Sequence, residues 1–118
     1  MPRSDDRQPQ PLTPATFHIL LSVMHEVAHG YHIKRMVEER TNGAVRLGAG
    51  TLYAALRRMV NEGLIEETEP PQDALEQEPG SRWRFYTITA PGREVLKAEI
   101  ARLESELQAA RAIVPRTA

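Results

Sequence analysis

The sequence predicts a mainly helical domain that carries a two-stranded β-hairpin and is extended by one long C-terminal helix. Three observations carry that expectation. Three amphipathic helical patterns follow one another between residues 13 and 62, and two strand-like segments flank a proline-rich acidic loop between residues 64 and 89. Apolar residues then recur at alternating spacings of four and three up to residue 114.

Each element has its own signature. Residues 1–12 hold three prolines, charges and glutamines without periodicity, and read as a flexible lead-in. Thr13 suits a helix cap and Pro14 a first turn, after which Phe17, Leu20, Leu21, Met24 and Val27 keep helical spacing until Gly30 breaks the run. A second helix is expected over about 31–41 on the narrow stripe Ile33, Met36 and Val37, and Asn42-Gly43 ends it. A third follows Gly48-Ala49-Gly50 with Leu52, Leu56, Met59 and Val60 on its inner face, and Gly63 stands where a terminating glycine belongs. Residues 64–68 and 82–89 read as strands around the loop that holds Glu69, Asp73, Glu76 and Glu78. The last helix opens at Thr89-Ala90-Pro91, and Leu96, Ile100, Leu103, Leu107, Ala110 and Val114 form a heptad seam that nothing in one chain is left to bury. Three helices followed by a hairpin is the order of a winged helix-turn-helix. Residues 13–90 would form that domain, and residues 91–114 a helix that pairs two copies.

Composition narrows the function. With 118 residues and 13.3 kDa the chain has room for one domain. There is no cysteine, which removes disulfides, thiolate zinc sites and cysteine nucleophiles. No apolar run reaches the length of a bilayer span and the first residues lack a signal-peptide core, so a cytoplasmic protein is expected. Fifteen bases against sixteen acids exclude a chain that coats DNA by overall positive charge. The balance is nevertheless segregated. Residues 31–60 hold six bases against Glu38 and Glu39, a net of +4, whereas residues 61–80 hold seven acids and no base. The basic block coincides with the second and third helices, where contacts to DNA phosphates are expected.

On a helical wheel the third helix turns Gly50, Ala54, Arg57, Arg58 and Asn61 outward, with Thr51 and Tyr53 on its flanks. The face is small where a helix would enter the major groove, then offers Arg for guanine edges or phosphates and Asn for adenine. The first-turn amides can take a phosphate as well.

At this point the residues resemble a family. Gly48-Ala49-Gly50-Thr51-Leu52-Tyr53-Ala54-Ala55-Leu56-Arg57-Arg58-Met59, followed by Glu62-Gly63-Leu64-Ile65, resembles the core motif of the PadR-like transcriptional regulators. His29-Gly30-Tyr31-His32-Ile33 is similar to the start of that family's second helix, and Phe85 to Arg93 to its wing strand running into the dimer helix. The likeness spans about residues 12–114. It implies a dimeric winged-helix repressor on a short inverted repeat of double-stranded DNA, with a small-molecule effector that releases it and no cofactor. By the same resemblance Gly50, Thr51, Tyr53, Arg57 and Arg58 would sit at DNA, and Tyr31 and Lys34 would contact phosphates. Arg82 and Arg84 at the base of the wing would add contacts, because the acidic tip from Glu69 to Glu78 is repelled by DNA. Leu96, Ile100, Leu103, Leu107 and Ala110 would form the dimer seam. The chain departs from the family at Gly48-Ala49, where Ser-Pro is common, and in the absence of an aromatic residue from the last helix. Trp83, the single tryptophan, is expected to pack on the helical core.

Two rival readings come from the same residues. His18, His25, His29 and His32 fall within fifteen residues, and His25 with His29 has the spacing of a helical metal pair, which would make a metal-responsive regulator. Gly30 interrupts that set, and solvated or hydrogen-bonded histidines near a helix end are the plainer reading. A winged-helix module that binds proteins through its acidic block is the second rival. An enzyme is not expected: phosphate-binding glycine loops, a Gly-x-Ser-x-Gly elbow and a complete His-Glu-x-x-His are all missing.

Overall fold

The computed structural model describes residues 10–72 and 83–116. Within them the chain forms α1 (Pro14–His25), β1 (Ala28–His29), α2 (Gly30–Arg40), α3 (Ala49–Asn61), β2 (Ile65–Thr68), β3 (Phe85–Ile88) and α4 (Ala90–Ile113). Local chemistry sets most of the helix ends. Thr13 caps α1 by accepting the Thr16 N–H, and Thr89 caps α4 by accepting the Gly92 N–H at 3.0 Å. Gly48 precedes α3 without a side-chain cap, as the Gly48-Ala49 departure implies. At the other end Gly63 takes φ +78°, and the Gly63 and Leu64 N–H groups return to the Val60 and Met59 carbonyls at 3.0 and 2.9 Å. That is a Schellman turn, and it points the chain directly into β2.

The expected two-stranded hairpin is in fact a three-stranded antiparallel sheet in the order β1-β3-β2. The added strand is the two-residue link between α1 and α2, where Ala28 pairs with Tyr86 and His29 with Phe85. Gly30 therefore opens α2, whereas α1 has already ended at His25. On the other side Ile65 pairs with Ile88 and Thr68 with Phe85. Central placement explains why Phe85, Tyr86 and Ile88 are all buried. The regular strand is shorter than residues 82–89, and Trp83 and Arg84 precede it in irregular backbone.

The core is continuous across all helices. Ile19, Leu20 and Val23 of α1 meet Ile33 and Val37 of α2, Leu52, Leu56 and Met59 of α3, and Ile65 and Ile88 of the sheet. Ala55 joins them, which leaves Val60 only partly buried at the margin. Leu96 of α4 is also a member, at 4% exposure. The seam predicted to lie free of the monomer therefore begins one heptad position later, at Ile100. Ile100, Leu103 and Leu107 are 39, 37 and 53% exposed, and Ala110 is exposed beyond them. Among the described residues no helix is long and apolar enough to cross a membrane.

Candidate nucleic-acid interface

The inner side of α3 buries Leu52, Ala55, Leu56 and Met59, which leaves Gly50, Thr51, Ala54, Arg57 and Asn61 exposed on the outer side. Among the described residues Arg57 enters no ion pair, so its guanidinium is available to an outside partner. Arg58, expected beside it, has a different neighbour. One residue further round the helix, it faces α1, where Nη2 donates to Thr16 Oγ1 at 2.6 Å and Nε lies 3.9 Å from Glu62.

Tyr53 occupies the opposite flank. Its ring lies against the start of α2, so closely that a β carbon on Gly30 would stand 2.8 Å from the Tyr53 hydroxyl. Gly30 thus gives the ring its seat. Tyr53 remains 45% exposed, and Tyr31 in the first turn of α2 is 57% exposed. Lys34, one turn on, is held at 3.0 Å by Glu38. Arg84 stands 3.6 Å from Glu67 across the wing base. Arg82 and the loop tip, residues 73–82, lie outside the described residues.

Among the described residues Tyr31, Tyr53, Arg57 and Arg84 border a cleft of about 510 Å³ between α2, α3 and the wing base. Tyr31, Tyr53, Tyr86, Trp83 and His29 supply aromatic walls, and Arg57 and Arg84 supply the positive charge. Trp83 does not pack into the core as expected. It is 48% exposed, with its ring centroid 4.1 Å from that of His29. Burial and the nearby Glu67 carboxylate push the Tyr86 hydroxyl above its ordinary pKa, so it stays a neutral donor. The sequence signalled Tyr31 and Tyr53 but not the cleft itself, because His29 and Trp83 come together only through the pairing of β1 with β3.

The four histidines do not form one cluster. His29 Nδ1 accepts the His32 N–H at 3.2 Å and so caps α2, while its ring meets Phe85 edge-on at 5.3 Å. His25 and His32 approach the same Glu26 oxygen at 3.8 and 3.5 Å. His18 belongs elsewhere, with a buried Nδ1 that has no partner and a pKa lowered by burial and then by Arg40. Among the described residues no group of three His, Asp or Glu side chains is placed to hold a metal ion.

A helical core, an exposed third helix and a sheet-based wing define a winged-helix regulator. A family model described as the transcriptional regulator PadR-like family matches residues 19–98. The chain belongs to the PadR-like family of transcriptional regulators, a family of regulators and not of enzymes. Solved structures agree on the fold. A PadR family transcription regulator from Clostridium difficile R20291 is 22% identical with a TM-score of 0.70, over 86% of this chain and 99% of that one. A PadR-like regulator from Bacillus cereus is 23% identical with a TM-score of 0.69, over 85 and 90%. RosR of H. salinarum is 25% identical with a TM-score of 0.62, over 87 and 90%. Among curated proteins none matches the sequence.

Proposed function

We propose that this PadR-like regulator is a cytoplasmic repressor that binds a short inverted repeat of duplex DNA as a homodimer and is released by a small effector. The observation that supports it best is the outer strip of α3. Small residues at Gly50 and Ala54 admit the helix to the groove, and the exposed Arg57 and Asn61 follow at the spacing of base-reading donors. Tyr31, Tyr53 and Arg84 line the cleft beside that strip, and with Thr51 and Lys34 they would hold the phosphates on either side. Arg58 has an internal partner, so its contribution to DNA binding is to steady α3. The exposed run from Ile100 to Ala110 is the surface for a second copy, which would set the two α3 helices about 34 Å apart.

Selection of bound duplexes from a random pool tests the reading, and it should return an inverted repeat. Affinity for that duplex should fall steeply with added salt, the mark of phosphate contacts. Arg57→Ala should lose roughly 1–3 kcal/mol of binding and relax the preference at one position in each half-site. Salt-independent or unselective binding would sink the proposal.

A further inference from the structure

Residues 12–16 connect α4 to α3 through a continuous set of hydrogen bonds. From α4, Glu99 accepts the Leu12 backbone N–H at 3.3 Å, while Arg102 donates to both of its oxygens at 2.6 and 2.8 Å. One residue on, Thr13 accepts the Thr16 N–H at 3.1 Å and its hydroxyl donates to Thr16 Oγ1 at 3.0 Å. Thr16 Oγ1 then accepts Arg58 from α3 at 2.6 Å. Glu99 and Thr16, at 4 and 5% exposure, are two of the three buried polar side chains among the described residues. Apolar packing alone leaves helices free to slide by small amounts, whereas short charge-assisted bonds fix a direction.

We propose that residues 12–16 are a strap that sets the placement of the reading helix relative to the dimer helix, with Thr16, Arg58 and Glu99 as positioning residues. The inference rests on the reading of α3 as the DNA-binding helix and α4 as the dimer helix. In a symmetric dimer a shift of α3 against its own α4 across the two-fold axis occurs twice, in opposite directions, and so changes the distance between the two reading helices. The strap therefore governs which half-site spacing fits. Thr16 is too deeply buried to touch DNA, so any effect it has on an operator must pass through α3.

The experiment measures affinity for the selected operator and for versions with one base pair added or removed between the half-sites. Wild-type protein should prefer one spacing by roughly tenfold or more. Thr16→Val and Glu99→Gln should weaken binding to that operator about fivefold or more and level the spacing preference. Thr16→Ser, which keeps the hydroxyl, should behave as wild type, and sedimentation should show all three still dimeric. Wild-type affinity and spacing preference in both Thr16→Val and Glu99→Gln would overturn the strap. So would an equal loss in Thr16→Ser, because the hydroxyl would then not be the cause. Wild-type protein that binds no duplex at all defeats the DNA reading instead. A cycle of melting temperatures for Thr16→Val, Glu99→Gln and the double variant then decides the strap alone: a combined loss smaller than the sum supports it, and additive losses reject it.

Discussion

At Gly92, in the first turn of α4, an added β carbon would overlap the Leu64 carbonyl oxygen and come within 2.9 Å of Ile88 Cγ1. Backbone cannot yield as a flexible side chain can, so Gly92→Ala should cost about 3 kcal/mol of stability, read from denaturant midpoints at constant slope. A cost below about 0.5 kcal/mol would mean that α4 tilts freely on the sheet. Gly30 differs in kind, because the atoms it would meet belong to the movable ring of Tyr53. Two adjacent arginines show how far single residues are legible. A wheel with Leu52, Leu56, Met59 and Val60 inward puts both Arg57 and Arg58 outside, and both are exposed. That Arg58 meets Thr16 depends on where α1 crosses α3, and a separation of 42 positions along the chain hides it from any local pattern.

α4 divides into two parts. Its first turns belong to the monomer, through Leu96 in the core and Glu99 under Leu12, and its later turns carry Ile100, Leu103 and Leu107 into solvent. The heptad spacing was legible, but the point at which the seam leaves the core was not, because periodicity is the same whether a helix faces its own domain or a second copy. Leu103→Glu should leave helix content unchanged by circular dichroism while weakening self-association roughly 100-fold in sedimentation. A dimer of undiminished strength would place the interface elsewhere. β1 was illegible for a different reason. Two residues have no period, and Ala28-His29 becomes a strand only because β3 offers it an edge.

At the scale of the whole molecule, two groups among the described residues, His18 and Glu99, make stability fall on acidification. Burial, aided by Arg40, lowers His18 from its ordinary 6.5, so the unfolded chain takes up that proton first. Its contribution is complete above pH 6.5 and declines as pH falls below that value. The Arg102 guanidinium clamped on Glu99 holds its carboxyl below the ordinary 4.5, so that contribution is complete above pH 4.5 and is lost as pH falls through the lowered value. Melting temperature should therefore begin to drop as pH falls below 6.5 and drop further as it falls below 4.5. His18→Gln should flatten the decline that begins below pH 6.5 and leave the one that begins below pH 4.5. An unchanged slope in that variant would assign the first decline to another group. The charge pattern acts at this scale too. Along the sequence a basic block over residues 31–60 is followed by an acidic block over residues 61–80, so a chain of net charge −1 keeps its positive charge concentrated on α2 and α3.

The order of the four described helices and the two longer strands, the caps at Thr13, Thr89 and Gly63, the inner and outer sides of α3, and the family are all legible in the sequence. All of these rest on spacings within a few residues, where backbone geometry leaves few choices. Tertiary structure alone decided the third strand, the seat of Trp83 on His29, the partner of Arg58, and the burial of Leu96 and Glu99. Each of these joins residues distant along the chain, and such contacts follow from how whole elements pack, which no local pattern encodes.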